Sequence, residues 1–159
     1  MGRFEDIEQR MRPGGWDTSG FLLPGSGLAE VLAADADLVR RHGLDPEQVG
    51  GGLADLLLAG AGSDRGRPVR IGDHNVEILR QRGLITCPWA PEEFEACHVG
   101  VGGHPTANRF HIELLSSHAR LDGFELSAHL MRDHGFFGGP GTRFRLEPDQ
   151  VVEVLDLTS

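Results

Sequence analysis

The chain has 159 residues, enough for one ordinary domain or for one domain with a small helical annex. Its formal charge is −9 and all 15 cationic residues are arginine, with neither lysine nor tyrosine present. That excludes a Schiff-base or phosphate-loop lysine and a tyrosine acid or base, and the acidic balance argues against a nucleic-acid partner.

No stretch reaches the roughly 18 consecutive apolar residues of a membrane span. The start, MGRFEDIEQRMRPGGW, lacks the apolar run of a secretory signal. The expectation is a soluble, cytoplasmic protein without a membrane partner, in which two cysteines suit metal binding better than a disulfide framework. Arg65, Arg67 and Arg70 are expected in a solvated turn.

In chain order, Phe4, Ile7 and Met11 predict a short amphipathic helix, ended by the Pro/Gly clusters that follow. An irregular arm comes next, and its Trp16, Phe21, Leu22 and Leu23 should lie on the body of the protein. Leu28, Val31, Leu32, Leu38 and Val39 recur at helical spacing over 27–42, with Asp35 as a polar intruder and Gly43 as the stop. Asp45-Pro46 opens a second helix carrying Val49, Leu53, Leu56 and Leu57, which would complete an αα-hairpin. Gly50-Gly51-Gly52 leaves two options there: the helix starts after the glycines, or another element packs closely on them.

Beyond AGAGSDRGRP the pattern changes to short β-branched runs, which predict strands at 68–71, 75–80 and 84–87 and a brief one at 99–101. Phe110, Ile112 and Leu114 alternate with Arg109, His111 and Glu113, giving a half-buried strand over 108–115. A helix over 121–134, a strand over 142–146 and a last helix from Glu147-Pro148 with Val151, Val152, Val154 and Leu155 complete the reading. Gly138–Gly141 reads as a tight turn and Phe136-Phe137 as core. The fold class is α+β: an N-terminal helical hairpin, a small antiparallel sheet and two further helices. The expected division is 1–62 for arm and hairpin and 63–159 for a zinc-binding part, forming one compact unit.

His129 and His134 stand at H-x4-H spacing at the end of a predicted helix, downstream of Cys87 and Cys97. Two thiolates and two imidazoles form the donor set of a tetrahedral zinc site. With a 3.6-residue repeat the two histidines lie about 140° apart on a helix, an offset that works if the last turn loosens before Gly135. A rival set, Cys87, Cys97, His98 and His104, would place the ion in the glycine-rich loop instead.

The segment Leu126, His129, His134 resembles the L-x2-H-x4-H end of a Cys2His2 zinc finger, over residues 87–134 only. The resemblance implies Cys87 and Cys97 as thiolate ligands and His129 and His134 as imidazole ligands of Zn2+. Two departures are plain: nine residues separate the cysteines and 31 separate Cys97 from His129. A DNA-reading finger has about two to four and about twelve at these places. What the resemblance leaves is a larger zinc-centred core that pins a helix to a sheet.

Two functions follow from different classes. One is a non-enzymatic, zinc-stapled module that meets a protein partner or a second copy through its hairpin and the 16–23 arm. The other is a small zinc- or cysteine-dependent hydrolase with its site in the 87–104 loop and His98 or His104 as base. Glu92, Glu95, Asp133 and the Asp73-His74 pair are its candidate acids and bases, but none stands in a specific catalytic frame. Ser116-Ser117-His118 reads as a polar strand end, and GVGGHPT lacks the strand–glycine–helix context of a dinucleotide loop.

Overall fold

The computed structural model describes residues 3–15, 17, 19–63, 67–83, 85–90 and 107–157, the Arg3 side chain excepted. Among these, five helices and a four-stranded antiparallel sheet make an α+β fold. In chain order they are α1 (Arg3–Met11), α2 (Leu28–Arg40), α3 (Pro46–Ala59), β1 (Val69–Ile71), β2 (His74–Leu79), β3 (Arg109–Leu114), β4 (Ala119–Phe124), α4 (Leu126–His134) and α5 (Pro148–Leu155).

The N-terminal third follows its pattern closely. Ile7 and Met11 of α1 are buried, and the arm returns over them: both Phe21 N and Leu22 N donate to Met11 O. Phe21 and Leu22 are fully buried, as expected of an arm that lies on the body, and leave Leu23 as the exposed apolar side chain of the described arm; Trp16 lies outside the described residues. α3 starts at Pro46, secured by a capping box in which Gln48 N donates to Asp45 Oδ1 and Asp45 N to Gln48 Oε1. Such a cap contributes about 1 kcal/mol. The helix runs straight through its three glycines because another element does pack there. A Cβ on Gly50 would lie 2.3 Å from the Arg132 backbone nitrogen. α3 thus packs chiefly against α4 rather than against its hairpin neighbour α2.

The sheet order is β1-β2-β3-β4, every pair antiparallel. Val76 and Ile78 of β2, Phe110 and Ile112 of β3 and Leu121 of β4 face inward, covered by α3, α4 and α5. Asn75, Glu77, His111, Glu113, Arg120 and Asp122 occupy the other, polar face, the usual division of a half-covered antiparallel sheet.

Three expected elements are corrected. Residues 119–124 are strand, not the first turns of a helix over 121–134: Leu121 pairs with Ile112 and Asp122 with His111. Arg120 and Asp122 point out while Leu121 points in, a period of two that Leu126, Leu130 and Met131 further on had masked. Described residues 85–87 are irregular, with no strand, and so are 142–146, although Leu146 N still donates to Phe137 O. In the second case the aromatic stack of Phe144 on Phe21, at 4.2 Å between ring centroids, holds the segment without a ladder. The brief strand expected at 99–101 falls outside the described residues.

Buried apolar side chains form two clusters. The first joins the sheet to α3, α4 and α5 through Val49, Leu53, Ile112, Met131, Phe137 and Val151 among others. The second gathers α1, the arm, the start of α2 and the 85–90 segment around Leu126, Leu130 and Phe136. α4 belongs to both, and the Phe136-Phe137 pair divides between them as core.

Candidate metal centre

Cys87 comes from the irregular segment after β2, while His129 and His134 come from α4. These three residues, from two segments distant in sequence, converge: their ligand atoms all lie within 4.8 Å of one another, with Cys87 and His129 buried and His134 half-buried. Thiol sulfur and imidazole nitrogen are the donors preferred by a borderline-soft divalent ion, so the group is close enough, and of the right chemistry, to hold a metal.

Local structure explains the convergence. Ala90 N donates to Cys87 O at 2.9 Å, closing a turn around Pro88 and Trp89. Arg10 Nε of α1 donates to Pro88 O at 2.9 Å, tying that turn to the N-terminal helix. The Trp89 ring lies flat on the His134 imidazole, 4.2 Å between centroids and 4° between planes. One short loop therefore supplies both a thiol and the wall that sets a histidine. On α4, His134 is the last helical residue and Gly135 leaves it in the left-handed region at φ 67, a conformation that glycine adopts without strain. The helix stays regular through His134, with Gly135 N donating to Met131 O at 3.0 Å, so the expected loosening of the last turn is not needed; the His129 and His134 rings stand perpendicular with centroids 4.9 Å apart.

Asp133 completes the arrangement. Its Oδ2 lies 2.6 Å from His129 Nδ1, one helical turn away, and Arg132 Nη2 donates to the same oxygen at 3.1 Å. Burial works against the Asp133 charge, but the hydrogen bond and charge of Arg132, joined by those of His129, outweigh it and hold the carboxyl below its ordinary value. Sequence reasoning had marked Asp133 only as a candidate catalytic base and had missed Trp89. The signals were present as an H-x3-D step on a helix and as a tryptophan, Trp89, two residues after Cys87.

Of the expected ligands, Cys97 lies outside the described residues, as do His98 and His104 of the rival set and Glu92 and Glu95 of the hydrolase reading. The other candidates have structural duties. His74 Nε2 contacts Val154 O at 2.7 Å near the end of α5, and Asp73 Oδ2 accepts from Ser116 N. Ser116, Ser117 and His118 form the β3–β4 turn, with His118 at φ 63 and its Nδ1 3.1 Å from Glu113 Oε2. Gly139 O accepts from Thr142 N in the expected tight turn. Among the described residues no helix is long and apolar enough to cross a membrane. No protein family, curated protein or solved structure matches the chain.

Proposed function

We propose that the chain is a zinc-stapled α+β module whose ion is held by Cys87, His129 and His134, with Cys97 as the fourth ligand, and which acts through protein contacts rather than catalysis. The convergence of three soft-to-borderline donors from two distant segments, within 4.8 Å, is the observation that carries this reading. Four protein ligands would close the coordination sphere, as in structural zinc sites. The thiolates require a reducing compartment, in keeping with a cytoplasmic location. The net charge of −9 favours a protein partner or a second copy over nucleic acid.

Metal analysis of protein purified without added zinc tests the reading. About one zinc per wild-type chain is expected, in the range of a stoichiometric structural site. The His129→Ala/His134→Ala variant should lose it. No bound metal in the wild type would sink the proposal, and metal retained by the double variant would move the site to Cys87, Cys97, His98 and His104.

A further inference from the structure

We propose that Asp133 is the positioning residue of this centre, holding His129 so that the ion is taken through Nε2 and never through Nδ1. The inference rests on the metal-site reading above and adds what decides the geometry and affinity of that site.

The protons available to two side chains decide which nitrogen is free. A carboxylate only accepts hydrogen bonds, so the nitrogen 2.6 Å from Asp133 Oδ2 must carry the proton. A neutral imidazole has one N–H, and metal binding requires the neutral ring. With Nδ1 protonated, the lone pair sits on Nε2. That atom is shut off from solvent, on the side of the ring away from Asp133. Coordination through Nδ1 would instead break the Asp133 contact and bring the ion against the carboxylate.

Asp133 is itself fixed. It is spaced i,i+4 from His129 on one helix, and Arg132 grips it with Nη2 on Oδ2 at 3.1 Å and Nε near Oδ1 at 3.4 Å. A carboxylate behind a ligating histidine sets the ring's orientation and raises its basicity, and losing such a partner costs roughly 10- to 100-fold in metal affinity.

Zinc affinity of the full chain, measured by competition with a chromophoric chelator, tests this on Asp133→Ala and Asp133→Asn. The alanine variant should bind roughly 10- to 100-fold more weakly. The asparagine variant should lose less, because its amide oxygen can still accept from Nδ1–H. Long-range 1H–15N correlation of the zinc-loaded wild type reads the nitrogen directly, whatever the variants' folding: a protonated Nδ1 and a coordinated Nε2 are expected at His129. Alanine and wild-type proteins of equal affinity, or coordination through Nδ1, would overturn the inference while leaving the site standing. A wild type that binds no zinc would instead overturn the metal-site reading itself.

Discussion

Asp35 interrupts an apolar helix face, and its reason lies far along the chain. It is 3% exposed and meets Arg145 in a bidentate pair, Nη1–Oδ2 at 2.6 Å and Nη2–Oδ1 at 3.0 Å. Burial opposes the Arg145 charge, yet hydrogen bonds to Asp35 and then Glu147 keep the guanidinium more basic than usual. Breaking a buried pair from one side strands a charge, so Asp35→Ala should cost about 3–5 kcal/mol in urea denaturation, and Asp35→Leu/Arg145→Met clearly less. Asp17 poses a milder case. Burial would raise its pKa, but hydrogen bonds from Ser19, Arg143 and the Gly20 backbone, with the Arg143 charge, hold it below the ordinary value of an aspartate. A depressed carboxyl stabilises the fold above its unfolded pKa and loses that contribution as pH falls through the folded one. Asp17→Asn should therefore be less stable than wild type at neutral pH, with the gap closing below the 3.8 of an unperturbed aspartate when denaturation is followed against pH. Asp35 stood out in the sequence as an anomaly; Arg145 did not, because no local pattern links residues 110 positions apart.

Among the elements, the α3–α4 contact is the tightest test of packing. A Cβ at Gly50 meets Arg132 backbone and Cβ atoms at 2.3–2.8 Å, whereas a Cβ at Gly51 meets nothing within 4 Å. Gly51→Ala should gain up to about 1 kcal/mol of helix propensity. Gly50→Ala should lose about 1–3 kcal/mol, because the helices must part. Thermal melts of the two variants should shift in opposite directions; two upward shifts would mean the helices are not in close contact. The glycine run was legible as an ambiguity that only the position of α4 could resolve. β4 was misread for a related reason: its strand alternation is six residues long and runs straight into a helix whose apolar spacing is stronger. Strand identity there depends on pairing with β3, which no single window of sequence contains.

At the scale of the molecule, the two apolar clusters divide the work. The sheet, α3 and α5 build one of them and Cys87 and Trp89 belong to the other, while α4, which carries both histidines, takes part in each. The division sets how far the loss of a metal should reach. Chelation should raise hydrogen exchange in 85–90 and α1, joined by Arg10 and Pro88, while the amides of β2 and β3 keep their protection. Uniform loss across the chain would show a single cooperative core. Much of the candidate site was visible in the residues: Cys87, His129 and His134 were chosen by donor type and spacing, and they converge. Trp89 and the true role of Asp133 were not, since a stacking wall and a tautomer lock are properties of placement. Zinc K-edge X-ray absorption on the metal-loaded protein reads the ligand atoms themselves. A four-coordinate shell with two sulfurs at about 2.3 Å and two imidazole nitrogens at about 2.0–2.1 Å is expected. A shell of nitrogen and oxygen alone, without sulfur, would contradict the zinc-staple proposal.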